Sequence, residues 1–387
     1  MHVVIVGTYP PTRCGIATFT ADVETALGFH NARVTIVPVF VSSDPGLGIR
    51  RDDRASYAQT AHRVNALGCD VVLIQHEFGI FGGVAGSYLL DFTEALTVPF
   101  AVTLHTVLAH FTAQQAYVIE RLYADAAMVT VFTETARQLL LNQGLVAENH
   151  IEIVPHGAPA ELYESIDLDQ ARAHIGLPAI GPVMSTFGLL SAGKGIELAV
   201  TALSTLVGEF PTIRYVIAGL THPEVVRYEG ERYRERLVEL VDELGVKDNV
   251  VFLDRFLGIT EIAALLAVTD VFCTPYRGED QIVSGALTFA LAARCPVVST
   301  PYRYAEDVLA SGAGTIVDFD DSVAFAEAIR QMLTDGPTRA SATRAVAEVS
   351  TALAWVTVGE TLFALLSAVS NIPARRARRP RTWDAVS

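Results

Sequence analysis

The sequence is poor in the features that mark secreted, metal-bound and nucleic-acid-binding proteins. Its four cysteines lie far apart and form no C-x-x-C pair, which argues against a disulfide framework or a structural zinc site and fits a reducing cytosol. Only 28 basic residues stand against 43 acidic ones, so the formal net charge is −15. Binding to duplex nucleic acid needs a basic face, and we therefore expect no nucleic-acid partner.

Signal and membrane segments are also scarce. The apolar run at residues 1–7 has no basic flank and is too short for a signal peptide. Residues 97–119 carry no formal charge, but they contain Pro99, two histidines and two glutamines. This stretch is better interpreted as a buried strand, a loop and a helix start than as a membrane span. We expect a soluble, cytoplasmic protein.

Hydrophobic residues are abundant, at 51% of 387 residues, which is enough for two cores. Short apolar runs recur with room for a helix between them, a pattern typical of parallel strands covered on both faces. Six runs in each half predict two Rossmann-like domains. The runs are residues 3–6, 34–37, 71–75, 100–104, 128–132 and 151–154, then 183–187, 214–218, 250–253, 271–274, 297–299 and 315–317.

The domain boundary is expected between Gly157 and Gly181, where strand periodicity is absent and proline and glycine are frequent. We predict a first domain over residues 1–170, completed by an amphipathic helix within 352–372, and a second domain over 171–351. Residues 373–387 form a basic tail. It is either a flexible, solvated end or an electrostatic contact with a membrane surface through Arg375–Arg381.

A glycine-rich loop with one lysine occupies residues 188–195 (GLLSAGKG), between a predicted strand and a predicted helix. Backbone N–H groups and the helix dipole suit a phosphate at such a place. The loop nearly matches the phosphate loop of NTPases, but Gly195 replaces the hydroxyl residue that would hold Mg²⁺. Lys194 is then either a solvated lysine on a tight turn or a point charge for a ligand diphosphate.

A second polar loop, residues 274–287 (TPYRGEDQIVSGAL), runs from a strand end into a small apolar helix. Ser284 and Gly285 would present backbone donors at the carboxyl edge of the sheet, where open α/β sheets bind ligands. An ordinary Ser-Gly helix cap is the alternative. Glu279 and Asp280 are equally compatible with plain loop charges.

The first half delivers polar side chains after three strands. The loop at residues 8–16 contains no G-x-G-x-x-G, so a dinucleotide fingerprint is absent there. Arg13, His76, Glu77 and His105 are predicted to share one edge and to form a polar cleft facing the second domain. A histidine after a strand is often only structural, and nothing in the spacing of His76, Glu77 and His105 requires a metal.

Together, these segments resemble the GT-B glycosyltransferases of glycosyltransferase family 4 (GT4) over roughly residues 1–370. The HEFG and QIVSG stretches look like a bacterial subgroup labelled group 1 glycosyltransferase. Trp355 fits the tryptophan that often opens the family's C-terminal helix. The remaining motifs are YPP and Gly15 for P-P-x-x-G-G, residues 154–157 for I-P-N-G, residues 188–195 for G-R-L-x-x-x-K-G, and residues 292–298 with Glu306 for A-x-G-x-P-V-V and its downstream glutamate.

The resemblance implies a GT-B fold, with two Rossmann-like domains whose parallel sheets face a cleft and a C-terminal helix crossing back to the first domain. It implies a nucleotide-sugar donor in the second domain and an acceptor in the first, which is a sugar, a lipid or a small molecule. A hexosyl unit, mannosyl from GDP-mannose or else glucosyl from UDP-glucose, would be transferred with retention. No cofactor and no protein-bound metal are implied.

The resemblance also assigns residues. Lys194 would meet the donor diphosphate, and His105 matches the family's cleft histidine beside the transferred sugar, with His76 orienting sugar and acceptor. The predicted catalytic residues are His105, His76, Glu77 and Lys194; the donor-binding residues are Gly188, Lys194, Arg277, Asp280, Gln281, Ser284, Gly285, Ala286 and Leu287; Arg13 and Gly15 belong to the cleft loop.

Three departures from the family pattern stand out. Leu189 occupies the place of the family arginine, and Arg294 occupies a glycine position. The two glutamates of E-x7-E fall on Gln281 and Phe289, of which only Gln281 can hydrogen-bond a sugar hydroxyl. Asp280 or Glu279 would supply a carboxylate through a shifted loop.

These departures leave two further functions open. Arg277 or Arg13 is a candidate to replace the missing positive charge of the family arginine. A catalytically silent GT-B module that binds a nucleotide or glycan is the first alternative. An NDP-sugar epimerase or hydrolase is the second.

Overall fold

The computed structural model describes residues 1–41, 46–144, 150–334 and 336–373. Its contacts divide the chain into two units. Unit 1 consists of Met1–Gly157 together with the C-terminal stretch that begins at Trp355, and unit 2 is Ala158–Ala354. The predicted tail contact at Arg375–Arg381 lies outside the described residues.

Unit 1 is built on a parallel sheet with the strand order β3-β2-β1-β4-β5-β6-β7. The chain order reverses between β1 and β4, so their carboxyl ends form a switch point where open α/β sheets hold ligands. The strands are β1 (His2–Gly7), β2 (Arg33–Phe40), β3 (Ile49–Arg50), β4 (Val71–His76), β5 (Phe100–Leu104), β6 (Met128–Val131) and β7 (Ile151–Ile153).

Helices cover the sheet of unit 1, and several begin at residues whose side chains accept a backbone N–H. Asp53 accepts from Ala55, and Thr112 forms a capping box with Gln115. The described helices of this unit are α1 (Gly15–Phe29), α2 (Arg54–Asn65), α3 (Leu89–Ala95), α4 (Ala113–Asp125), α5 (Glu134–Asn142) and, from the far end of the chain, α15 (Trp355–Ser370).

Unit 2 repeats the same plan with the order β10-β9-β8-β11-β12-β13, again fully parallel. Its switch point lies between the neighbouring strands β8 and β11. The strands are β8 (Val183–Phe187), β9 (Arg214–Ala218), β10 (Val250–Leu253), β11 (Val271–Thr274), β12 (Val297–Ser299) and β13 (Gly314–Ile316).

Several helices of unit 2 bury an apolar stripe. In α7, Ile196, Ala199, Val200, Leu203 and Leu206 are all fully buried, as their spacing predicts. Each large aliphatic side chain in such a stripe stabilises the fold by about 1.5–3 kcal/mol. The helices are α6 (Leu168–Ile175), α7 (Ile196–Leu206), α8 (Pro223–Glu229), α9 (Arg232–Glu243), α10 (Ile259–Ala267), α11 (Gly285–Ala292), α12 (Arg303–Leu309), α13 (Ser322–Leu333) and α14 (Pro337–Ser350).

The division between the units falls at Gly157 and Ala158, earlier than the predicted boundary after residue 170, and returns at Trp355. The physical reason is the segment that contains α6. This helix and the short 3-10 turn Ala160–Tyr163 pack against α10, so the segment belongs to the second core. The Tyr163 hydroxyl also donates to the Ser350 carbonyl, 2.9 Å away.

Candidate functional site

In unit 2, the loop after β8 is fastened to the loop after β9. Gly188 adopts a φ of +129°, and its carbonyl oxygen would lie 1.9 Å from a Cβ placed on Gly219. The N–H of Leu190 donates to the Leu220 carbonyl at 2.8 Å. Because the backbone is held on both sides, the lysine that follows starts from a fixed position.

The backbone conformation at residue 195 explains why a glycine follows Lys194. Gly195 links the turn Ala192–Lys194 to α7 with a φ of +56°, in the left-handed region that favours glycine. A Cβ at Gly195 would lie 2.0 Å from the carbonyl oxygen of Pro275, in the loop after β11. The N–H of Arg277 donates to the Gly193 carbonyl at 3.0 Å. The loops after β8 and β11 therefore pack backbone to backbone.

Tyr276 connects Lys194 with the start of α11. The Lys194 ammonium lies 3.9 Å from the centre of the Tyr276 ring, a cation–π contact. The Tyr276 hydroxyl lies 3.5 Å from the Ser284 hydroxyl. Tyr276 was not singled out from the sequence, although a tyrosine directly after a strand end, in a polar loop, was an available signal.

The start of α11 is partly used by its own cap. The Ser284 hydroxyl accepts from the Leu287 N–H at 3.3 Å, and Leu287 is fully buried. Its N–H is therefore engaged by the cap, which does not favour the predicted contact of Leu287 with the donor; that contact stays a prediction. Gly285 and Ala286 are half-exposed, and within the described part of the chain their N–H groups have no acceptor. These two N–H groups are free to donate to an anion at the N-terminus of α11.

The charged residues of the loop after β11 are mostly paired. The Arg277 guanidinium is about half exposed and lies 3.6 Å from the Glu197 carboxylate. Asp280 lies 3.4 Å from Arg303. The Gln281 side chain donates to the Val283 carbonyl at 2.9 Å, which leaves its amide oxygen as an acceptor.

Two departures from the family pattern have a structural explanation. Phe289 is buried, and its ring centre lies 6.4 Å from that of Phe187, so this position serves the core. Arg294 follows α11 with a φ of +62°, so the backbone keeps the left-handed geometry that a glycine would adopt. Leu189 is half-buried, and nothing in the structure explains its side chain.

A pocket of about 190 Å³ adjoins this edge. Its walls come from the loops after β8, β11, β12 and β13. The lining residues are Gly195, Leu198, Pro275, Tyr276, Arg277, Thr300, Phe319 and Asp320.

In unit 1, the predicted residues His76, Glu77 and His105 do come together. His76 ends β4, Glu77 follows it and His105 follows the neighbouring strand β5, whose backbone continues with a hydrogen bond from the backbone N–H of His105 to the backbone carbonyl of His76 at 2.9 Å. The Thr106 hydroxyl makes a short hydrogen bond to the Glu77 carboxylate. Burial raises the pKa of Glu77, and the hydrogen bond from Thr106 opposes that shift.

His105 is held on three sides. Its Nε2 lies 2.9 Å from the side-chain oxygen of Gln75, and the rings of Phe19 and Phe132 meet it edge-on at 4.8 and 5.2 Å. Burial lowers the pKa of His105 to about 3, with smaller contributions from His156 and His76. The imidazole is therefore neutral near pH 7 and can donate or accept a hydrogen bond without charge.

His76 differs from His105 because its side chain is fully buried. It packs against Phe78 and Phe81, and neither ring nitrogen has a partner among the described residues. Burial lowers the pKa of His76 to about 3. The predicted contact of His76 with sugar or acceptor stays a prediction, one that this burial does not favour.

The I-P-N-G-like segment meets the C-terminal helix within unit 1. A Cβ at Gly157 would lie 2.2 Å from the Trp355 ring, so the indole packs directly on this glycine. The preceding His156 is buried, with its Nδ1 2.8 Å from the Gly157 carbonyl oxygen. Phe19 contacts both aromatic rings, at 5.0 Å for His156 and 5.3 Å for Trp355. The motif therefore packs against the start of α15, next to Phe19, whose ring also contacts His105.

The loop after β1 ends in an unusual helix cap. The thiol of Cys14 accepts from the Ala17 N–H at 3.4 Å and lies 3.2 Å from the Thr8 hydroxyl. Gly15 is exposed, and a Cβ placed on it would meet no heavy atom within 4 Å. Arg13 is exposed and makes no hydrogen bond or ion pair with the residues that the structure describes. This arrangement leaves the start of α1 open, but it does not join Arg13 to the histidines.

No three His, Cys, Asp or Glu side chains in the described part of the chain gather as metal ligands would. None of its helices is both long and apolar enough to cross a bilayer.

Residues 169–349, most of unit 2, match the model of the family described as Glycosyl transferases group 1. A curated relative, D-inositol 3-phosphate glycosyltransferase of Mycolicibacterium smegmatis, is 28% identical over 264 residues, which are 66% of this chain and 56% of that protein. Its Corynebacterium glutamicum counterpart is 25% identical over 65% of this chain and 60% of that protein. The chain thus spans a little over half the length of these relatives.

Solved structures resemble the whole chain. The crystal structure of Anabaena HepE in complex with UDP has a TM-score of 0.74 at 18% identity and covers 95% of this chain and 100% of that one. Sucrose-phosphate synthase from Thermosynechococcus elongatus has a TM-score of 0.77 at 16% identity, with 95% and 99% covered. The predicted GT-B fold class is thereby confirmed. The match to the group 1 glycosyl transferase family thus covers residues 169–349, within the second unit, and the relatives that the chain resembles are glycosyltransferases.

Proposed function

We propose that the protein transfers a hexosyl unit from a nucleoside-diphosphate sugar to a hydroxyl group of an acceptor, with retention of the anomeric configuration. Unit 2 binds the donor and unit 1 the acceptor. The main electrostatic task is to stabilise the negative charge that develops on the leaving diphosphate.

One observation carries the proposal. The Lys194 ammonium lies over the ring of Tyr276. The hydroxyl of Tyr276 lies beside that of Ser284, at the start of α11. A cation and the free amides of Gly285 and Ala286 therefore flank one aromatic side chain at the switch point of the sheet. A point charge and oriented amides suit a diphosphate better than a neutral ligand.

The donor is proposed to be GDP-mannose, with UDP-glucose as the second candidate. GDP-mannose is supported by the HEFG and QIVSG stretches, which look like those of a bacterial group 1 subgroup. The second is supported by solved relatives described in complex with UDP and with UDP-glucose. Calorimetric titration with GDP and with UDP decides between them, because the preferred diphosphate binds more tightly.

The acceptor is proposed to be a hydroxyl compound that binds near the start of α1. Curated relatives are named D-inositol 3-phosphate glycosyltransferases, which makes an inositol phosphate the first compound to assay. Since Lys194 and the helix amides supply the positive charge, we propose that no protein-bound metal is needed. The rate should then be the same with and without a chelator.

A catalytically silent binding module is the second candidate. It is favoured by Phe289, which sits in the core where the family places a ribose-binding glutamate. Such a module would bind the diphosphate but release no product from any donor.

The proposal is tested by Lys194→Ala. Removal of one preorganised contact to a developing anion costs about 10²–10³ in rate. Lys247→Ala is the matched control, because Lys194 and Lys247 are the only lysines in the chain and Lys247 is exposed and paired with Asp242. We expect the control to keep the parent rate. Turnover by Lys194→Ala within a few fold of the parent would remove the proposed role of this lysine.

A further inference from the structure

Gln75 is a buried amide placed beside His105 by strand geometry. It lies in β4, fully buried, and pairs in register with Thr103 of β5. Because side chains alternate along a strand, Gln75, Thr103 and His105 lie on one face of the sheet. A Cβ on Gly7 would lie 3.0 Å from the Gln75 Cβ, so the glutamine is packed closely against the backbone of β1.

The contact between Gln75 and His105 determines which ring nitrogen carries the hydrogen. The side-chain oxygen of Gln75 lies 2.9 Å from His105 Nε2. In this orientation of the amide its oxygen faces the ring and can only accept, so Nε2 carries the N–H; the amide nitrogen of Gln75 is buried without a partner among the described residues. The edge-on contacts with Phe19 and Phe132 fix the plane of the ring whose Nε2 meets Gln75.

The other nitrogen is left to face a ligand. His105 Nδ1 has no hydrogen-bond partner among the described residues. Unlike both ring nitrogens of His76, it is not shielded from solvent. Since the ring is neutral, Nδ1 carries a lone pair at the carboxyl end of β5.

We propose that Gln75 is a positioning residue, which holds His105 as the Nε2–H tautomer so that Nδ1 accepts a hydrogen bond from a hydroxyl group of the transferred hexose. The hexose rests on the proposed function, whereas the tautomer does not. In the opposite tautomer Nδ1 carries an N–H, which can only donate. The hexose hydroxyl would then have to accept a hydrogen bond instead of donating one.

The tautomer is measured by ¹⁵N NMR of the full-length protein labelled at histidine. His105→Ala identifies the His105 signals among those of ten histidines. In the parent we expect a protonated Nε2 and a bare Nδ1. In Gln75→Met, which keeps an unbranched side chain but offers only a weak acceptor, we expect the hydrogen to distribute over both nitrogens.

The kinetic readout uses the same variants. Loss of one neutral hydrogen bond predicts a fall of about 3- to 10-fold in kcat/KM for Gln75→Met. In Gln75→Glu the carboxylate favours imidazolium and raises the pKa of His105, so activity should be lost at lower pH and recover as the pH rises. Thr60→Val is the matched control, because the buried Thr60 hydroxyl donates to the Gly48 carbonyl at 2.8 Å within the same unit.

Each result decides the inference. It is overturned if the parent carries its hydrogen on Nδ1, or if Gln75→Met keeps a pure Nε2–H tautomer at the parent rate. It is also overturned if the pH profile of Gln75→Glu overlays that of the parent. If the parent transfers no hexose to any acceptor, the proposed function fails, and the NMR result still decides the role of Gln75.

Discussion

The two sheets share one strand plan but carry opposite chemistry at their switch points. The edge of unit 2 presents an ammonium, Lys194, and the free amides at the start of α11. The edge of unit 1 presents a neutral imidazole, His105, beside the half-buried carboxyl group of Glu77. The same topology therefore carries a cation with free amides in one unit and uncharged hydrogen-bonding groups in the other, and this difference lies in the loops rather than the strands.

Among the changes that test this difference between the units, Gly195→Ala is expected to have the largest effect on stability and binding. The new Cβ would lie 2.0 Å from the Pro275 carbonyl oxygen on a backbone with positive φ, so the loops after β8 and β11 must separate. We expect a loss of about 1–3 kcal/mol in the free energy of unfolding, together with weaker diphosphate binding. Urea denaturation and calorimetric titration measure the two effects.

Gly193→Ala is the control for that variant. The nearest atom to its new Cβ is the Ser191 hydroxyl oxygen at 3.8 Å, which is ordinary contact. Its stability should stay within about 0.5 kcal/mol of the parent. Equal losses from both variants would mean that the close packing of the two loops is not what holds Lys194.

The next effect distinguishes the units by pH. Burial lowers the pKa of His76 and His105 to about 3 and that of His156 to about 4, and all three lie in unit 1. The unfolded chain binds their protons below about pH 6.5, whereas the folded unit does not. The stability of unit 1 is therefore full above pH 6.5 and decreases as the pH is lowered below that value. Glu77, whose pKa is raised, opposes this trend slightly.

Thermal unfolding at pH 7 and pH 5 measures this effect. Trp355 reports on unit 1 by fluorescence once the second tryptophan, Trp383, is replaced by phenylalanine. We expect the midpoint of unit 1 to fall as the solution is acidified. His156→Asn should show a shallower pH dependence. A midpoint that is the same at both pH values would contradict the neutral, buried state of these histidines.

The smallest effect is expected from Arg294→Gly. Arg294 is exposed and adopts a φ of +62°, a conformation that costs a non-glycine residue about 1 kcal/mol. Glycine relieves this strain but adds entropy to the unfolded chain, so we expect a gain of about 0–1 kcal/mol with unchanged turnover. Urea denaturation checks the sign, and a clear loss of activity would show that the guanidinium does more than end the helix.

Much of the fold could be predicted from apolar runs alone. Five of the six predicted strands of unit 2 match the observed bounds, because each is a continuous apolar run; four of the five are mostly buried, and β10 is half-buried. The strand β13 begins one residue early, at Gly314. The two-residue strand β3 was missed because Ile49 and Arg50 form no run that a pattern can detect.

The site could be predicted only in part. Loops after strands locate Lys194 and His105, since the edge of a parallel sheet follows from topology. The partners of these residues come from other strands, as Tyr276 does for Lys194 and Gln75 for His105. Local spacing carries no information about such distant contacts. The contact of the Leu287 N–H with the serine cap depends on the rotamer of Ser284, which the sequence does not show.

The return of α15 to unit 1 affects how the protein is made on the ribosome. Gly157 is synthesised early, but the Trp355 ring that packs on it emerges only after all of unit 2. At translation rates of 5–20 residues per second, the nascent first unit waits roughly 10–40 s with that face uncovered. Unit 2 is continuous in sequence and can complete its core during this interval. The second unit, rather than the first, is thus the earlier one to reach its finished form.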